Sequence, residues 1–300
     1  SARINSLRFF EPISMNSKPG SDDNNIIIDL KVKEVPTGSL TFGASYGQAA
    51  GFGGNIKIEQ RNLLGRGQSL SLSIDTAANT KTYSINFGEP KILGRNLNFG
   101  IHVFNTTTNN QFSAYDTSSY GISPSISFPL SKYGNTSLYY SVGARRLVNL
   151  LSSSSRVLQN ESSIRKSSII GAAYQFDTRK TGFNPDAGVN FTLSQELAGL
   201  GGGTQYLKMK ALLSGQTELF DGDLGLMGVI EAGRLQNFSG SSSVLDRFFA
   251  SGGGIRGFEH HGMGPRDISA TNNDALGGNL FAAARFESKF PIGFLENYGM

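Results

Sequence analysis

Cysteine and tryptophan are absent from this 300-residue chain, and charged residues make up only 17% of it. Without cysteine there are no disulfides and no thiolate metal sites, and any redox compartment is permitted. No apolar run approaches the roughly 18–20 residues that a membrane-spanning helix needs. A net charge of +4, with its basic residues scattered, leaves no nucleic-acid footprint. The hydrophobic fraction of 38% lies below the roughly 45–50% usual for soluble domains, yet too few charges are present for a disordered chain. Ser1-Ala2-Arg3-Ile4-Asn5 leads into no apolar segment, so no signal peptide is visible. An exported chain needs one, so the sequence is expected to begin after processing or partway through a longer protein.

What is abundant is glycine, with 38 residues, and the aromatic pair phenylalanine and tyrosine, with 21 and 10. Much glycine, many aromatics, plentiful Ser, Thr and Asn and few charges suit a sheet with one lipid-facing and one watery side. With no spanning helix to offer, such a chain crosses a bilayer only as a closed barrel. Residues 1–36 read differently. Leu7, Phe9, Phe10 and Ile13 suggest the end of a short helix, Lys18-Pro19-Gly20-Ser21-Asp22-Asp23 a turn, and Ile26, Ile28, Leu30 and Val32 a half-buried strand. Together they predict the tail of a small α+β module.

From Ser39 onward a two-residue period dominates. Leu40, Phe42, Ala44 and Tyr46 share one face, and Thr41, Gly43, Ser45 and Gly47 the other. The same alternation returns at Ile56/Ile58, Leu70/Leu72/Ile74, Tyr83/Ile85/Phe87, Leu97/Phe99/Ile101/Val103 and Ile122/Ile126/Phe128. It continues through Leu138/Tyr140/Val142, Ile170/Ala172/Tyr174/Phe176, Val189/Phe191/Leu193, Leu207/Met209/Ala211/Leu213, Leu224/Leu226 and Leu280/Ala282/Ala284/Phe286. About twelve strands follow, mostly near the 9–11 residues a tilted transmembrane strand requires. Short turns such as Gly65-Arg66-Gly67 and Asn184-Pro185-Asp186 alternate with longer polar connections at 106–118, 149–166 and 239–279. Short turns at one rim and long loops at the other are the outer-membrane pattern. A soluble β-sandwich or β-helix is the alternative. No fixed repeat period supports it, and polar faces stand opposite too many aromatics.

The segment 247–291 runs Arg-Phe-Phe-Ala-Ser-Gly-Gly-Gly-Ile-Arg-Gly-Phe, then Gly264-Pro265-Arg266-Asp267, then Gly277-Gly278. It resembles the sixth extracellular loop and following strand of the BamA-like outer-membrane protein assembly family, whose relatives include the mitochondrial sorting-and-assembly barrel and the chloroplast import channel. The hallmark is Ile255-Arg256-Gly257-Phe258. Glu34-Val35-Pro36-Thr37-Gly38 is similar to the last periplasmic POTRA module entering the barrel. Asp177-Thr178-Arg179, Asn184-Pro185 and the stretch from Leu193 to Gly202 resemble mid-barrel strands of bacterial members. The resemblance implies a POTRA end at residues 1–36 and, at 37–300, a transmembrane antiparallel β-barrel lacking its closing strands, about twelve of sixteen being present.

It also implies an assembly factor that folds and inserts β-barrel proteins into the bacterial outer membrane through a lateral gate, with its N-terminal segment in the periplasm. Implied partners are nascent outer-membrane β-barrel proteins, outer-membrane lipids and accessory assembly lipoproteins, with no nucleic acid. The gate strand would be Ser39, Leu40, Thr41, Phe42, Gly43, Ala44, Ser45 and Tyr46, because an exposed strand edge is a template for an incoming chain. Gly43 and Gly47 weaken that strand, or merely ease a bend. Arg256 would clamp the loop inside the lumen, a guanidinium being suited to a buried carboxylate. A solvated loop arginine is the other possibility. A polypeptide-transport pore, an autotransporter-assembly relative and a passive porin remain alternatives.

Catalysis is not expected, nor is a cofactor or metal. His102 lies on a strand, and His260-His261 beside Glu259 and Asp267 point apart on an extended loop. No Gly-x-Ser-x-Gly element appears. Gly252-Gly253-Gly254 is followed by no Gly-Lys-Ser/Thr and opens no helix, so it is no phosphate loop.

Overall fold

The computed structural model describes residues 9–11, 14–20, 26–47, 51–77, 79–109, 115–161, 164–179, 187–220, 223–250, 255, 257–258 and 261–290. Near the N-terminus β1 (Ser14–Pro19) pairs antiparallel with β2 (Ile26–Lys31), and Phe10 bridges Glu34. The sequence suggested a helix ending near Phe9 and Phe10. Instead they are extended, with Glu11 N–H donating to Lys33 O and Val35 N–H to Phe9 O. Lys18 and Pro19, read as a turn, close β1. Nor is β2 half-buried: Ile26, Ile28, Leu30 and Val32 are all exposed, because no second layer packs on this ladder among the described residues. Leu7 and Ile13 lie outside the described residues.

The rest forms one antiparallel sheet of twelve strands. In chain order these are β3 (Gly38–Gly47), β4 (Gly51–Leu63), β5 (Gln68–Ala77), β6 (Thr80–Glu89), β7 (Asn98–Thr108) and β8 (Asp116–Pro129). Then come β9 (Gly134–Val148), β10 (Arg165–Asp177), β11 (Gly188–Gly202), β12 (Tyr206–Leu219) and β13 (Leu224–Asn237). A two-residue ladder, β14 (Arg266–Asp267) with β15 (Asp274–Ala275), interrupts the long connection before the last strand, β16 (Leu280–Lys289). A five-residue helix, α1 (Arg156–Asn160), lies between β9 and β10 and is capped by Ser155 Oγ accepting from Val157 N–H. Every strand pairs with its sequence neighbour, β13 with β16 across the long connection. The sheet's two edges are therefore β3 and β16.

Register sorts the two faces. Leu40 sits opposite Ile58, Ile58 opposite Leu72, Leu72 opposite Ile85, Ile85 opposite Val103, Val103 opposite Ile122 and Ile122 opposite Val142. That apolar row is exposed along its whole length, as a lipid-facing surface must be. The opposite face carries Glu59, Ser71, Asn86, His102 and Ser123 in another continuous row. On it Ser73 Oγ meets Ser84 Oγ at 2.8 Å, and His102 Nδ1 meets Asn86 Oδ1 at 2.6 Å. Each favourable cross-strand pair adds about 0.2–1 kcal/mol.

Burial is uneven. All buried residues among those described fall at Tyr115 or later, in β8–β13 and the connections that fold onto them.

Candidate functional site

The described residues of the long connection 238–279 fold onto the polar face. Its first turn is tied to the wall by the Arg145 guanidinium on β9, which grips the Asp246 carboxylate and donates to Leu245 O at 3.0 Å. Asp246 is only 3% exposed. From β12, Lys208 Nζ donates to Asp246 O at 2.9 Å and stands 4.8 Å from the centroid of the Phe248 ring. That ring lies over Gly233, where a β-carbon would sit 2.6 Å from Cζ, and it stacks on Phe281 of β16. Glycine in β13 thus makes room for a loop aromatic.

A second set of bonds ties the same loop to the connection between β9 and β10. Glu161 accepts from Ser243 Oγ and, at 3.1 Å, from Val244 N–H. Ser155 N–H donates to Asp274 Oδ2 at 2.6 Å, and Ser155 Oγ donates to Asp267 Oδ2. Behind these polar ties Val244, Leu158, Leu147 and Tyr115 form a small apolar core. Burial, with Glu161 and Asp274 nearby, pushes the Tyr115 hydroxyl up to about 12. Deeper in the same lumen, Tyr139 Oη donates to Glu196 Oε1 at 2.9 Å, its ring filling the space left by Gly171.

The sequence-derived loop residues fall around this site. Arg266 Nη1 donates to Asn273 O at 2.8 Å and Nη2 to His261 O at 2.6 Å, closing the turn that β14 and β15 frame. Asp267 meets Ser155, as above, and also accepts from Ser269 N–H at 3.0 Å. Pro265 O accepts from Leu276 N–H at 2.9 Å. Gly277 has φ +67° and lies against Phe248 O and the Phe249 ring, while Gly278 exchanges backbone bonds with Phe248. Gly264 turns in open space, as does Gly257. Ile255 is half-buried and Phe258 exposed. Arg256, the proposed clamp, lies outside the described residues, as do Glu259 and His260. Sequence reasoning missed Arg145, Lys208, Glu161 and Asp246. The available signal was that Arg145 falls on the face opposite Leu138, Tyr140 and Val142, and Lys208 on the face opposite Leu207 and Met209.

Hydrogen bonds from Ser155 first, then Ser269, hold the Asp267 carboxyl below the ordinary aspartate value. A depressed carboxylate stabilises the docked loop above its unfolded pKa, and that contribution is lost as pH falls through the lower folded value. The Ser269 amide resonance is therefore expected to titrate with a midpoint below that of a free aspartate. A midpoint at or above it contradicts the docking bond.

An antiparallel sheet with an apolar outside, a polar inside and its own long loop folded onto that inside defines a membrane β-barrel protein with an internally occupied lumen. The Omp85 superfamily domain model matches residues 62–299. The chain belongs to the Omp85 superfamily. It is 28% identical over 292 residues to the outer membrane protein assembly factor BamA of Neorickettsia risticii (strain Illinois), covering 97% of this chain and 39% of that protein. It is likewise 28% identical over 256 residues to the mouse sorting and assembly machinery component 50 homolog, covering 81% of this chain and 51% of that one. Among solved structures, BamA from Haemophilus ducreyi lacking POTRA domains 1–3 superposes with a TM-score of 0.86 at 22% identity, over 99% of this chain and 62% of that chain. The chain thus spans about two-fifths of the length of the BamA relative it matches.

Proposed function

We propose that this chain is the barrel-forming part of an outer-membrane protein assembly factor that folds and inserts β-barrel proteins into the bacterial outer membrane. The observation that carries the reading is similarity to a BamA along 97% of the chain. Nascent β-barrel proteins are the substrates, accessory lipoproteins the helpers and the surrounding outer-membrane lipids the solvent. Residues 1–36 are the end of a POTRA module in the periplasm, and 37–300 the barrel.

The mechanism is physical rather than covalent. Strand β3 pairs only with β4 among the described residues, so its far edge offers N–H and C=O groups to an incoming strand. Leu40, Phe42 and Tyr46 line its outward side. Gly43 is not demanded by packing, since a β-carbon there would meet only Asn55, at 3.7 Å or more. Its contribution is a weak strand that exchanges partners readily. Arg256, with Ile255, Gly257 and Phe258, is the lock of the long loop that keeps the lumen filled while the edge works.

Photo-crosslinking from Ser39 to Tyr46 of the whole protein, in membranes making client barrels, tests this. Adducts with clients at alternating positions are expected. Capture of the protein's own last strand alone, together with steady ion conduction, would replace the assembly reading by a transport pore.

A further inference from the structure

On the outward face, at the rim of the long connections, β11 leaves its ladder. Ile169 pairs with Ala198, but Ser167 pairs with Gly202, so four steps on β11 span two on β10. The surplus backbone folds over β10: Gly199, Gly201 and Gly202 have φ of +145°, +151° and +80°, values that L side chains resist. Leu200, 60% exposed, stands on this overhang. Beneath it Ser168 is buried although its strand position faces outward, and Tyr140 Oη meets Ser168 Oγ at 2.8 Å. Between the overhang and Tyr120 on β8 runs a groove of about 690 Å³ floored by Ile122, Val142 and Ala144.

Two cations stand at its upper end. Lys166 is paired across from Ala144, and Arg146 lies two residues further along β9 on the same outward face. Both are exposed, and neither forms an ion pair among the described residues. The neighbouring acid, Asp116, accepts from Asn149 Nδ2 at 2.7 Å.

We propose that this groove is a binding site for a phosphate-bearing lipid of the leaflet at the long-loop rim. Its acyl chain lies along Ile122 and Val142, and its phosphate lies between Arg146 and Lys166. An apolar trough in the membrane-facing wall can be filled only by what the bilayer offers, and unpaired cations above it select an anionic amphiphile. Tyr120 and Tyr140 line the groove, and tyrosine, apolar in its ring and polar at its hydroxyl, suits the headgroup level of a barrel wall. The site rests on the barrel fold and is independent of the assembly activity.

The chain's lack of tryptophan makes the test direct. Tyr120→Trp places a reporter in the groove, and Tyr83→Trp on β6 places one on the ungrooved outward face. The whole protein is reconstituted in phosphatidylcholine bilayers containing increasing brominated phosphatidylglycerol, with the emission of the unsubstituted protein subtracted. Each cation near the headgroups favours an anionic lipid about fivefold, so with two of them quenching in the groove is expected to reach half-maximum at a mole fraction about twenty-fivefold lower than at position 83. Arg146→Gln with Lys166→Gln is expected to abolish that preference, and added inorganic phosphate to leave it unchanged. Equal quenching curves at the two positions overturn the site. So does a preference that survives the double substitution, is competed by free phosphate, or appears equally with brominated phosphatidylcholine.

Discussion

Replacing Arg145 by alanine is expected to release the long loop from the wall while the twelve strands stay paired. The guanidinium is the charged partner of the Asp246 carboxylate, which is 3% exposed, and it also holds Leu245 O. Lys208 offers no substitute, because its bond goes to the backbone oxygen of Asp246. Leaving one member of a buried ion pair without its partner costs about 3–5 kcal/mol. The lower end applies here, since the Arg145 side chain is one-third exposed. Hydrogen exchange should rise at residues 243–249, with new protease cuts in 238–279 and little change in the ladder from β3 to β7. The paired replacement Arg145→Met with Asp246→Leu should recover much of the protection, because neither charge is then orphaned. Unchanged exchange at 243–249 in Arg145→Ala would mean that the wall-to-loop ion pair is not what holds the loop.

Gly277→Ala is expected to be nearly as damaging, and Gly278→Ala mild, although the two are adjacent. Gly277 has φ +67°, and a β-carbon on it would lie 2.9 Å from both Phe248 O and the Phe249 ring. The conformation costs an L residue about 1–2 kcal/mol, and overpacking about 1–3 kcal/mol more. At Gly278 the nearest atom is Leu280 O at 3.3 Å, which a small shift relieves. The two variants share composition and position, so the comparison isolates backbone geometry. Protease susceptibility of 238–279 and resistance to unfolding in detergent on heating should separate them clearly. Equal behaviour would show that the turn relaxes around either methyl group.

The sheet was legible because its signal is periodic. Each of the twelve alternating segments read from the sequence falls on one of the twelve sheet strands, since burial on a pleated surface repeats every two residues. Residues 9–36 were less legible. Phe9 and Phe10 look like the end of an apolar helix face, and only the bonds at Lys33 and Phe9 show them to be extended. The loop was half legible. Glycines 277 and 278 and the Arg266-Asp267 pair stood out as a pattern, and the structure gives them backbone and hydrogen-bond reasons. Arg145, Lys208 and Glu161 did not stand out, because their partners lie 101, 38 and 82 residues away in sequence. No local period records a contact of that kind. Similarly, the stretch from Leu193 to Gly202 reads in sequence only as part of a mid-barrel strand, and the register shift near its end reveals a built concavity.

The uneven burial has a mechanical consequence. Described contacts of the loop reach β9, β12, β13 and β16, and no residue of β3 to β7 is buried among those described. Among the described residues the sheet is therefore a laminate along one half and a single ply along the other. Bending stiffness rises steeply with thickness, so thinning of the bilayer or a tug on the wall is absorbed as curvature in the single-ply half, next to β3, while the laminated half keeps its shape and acts as the anvil.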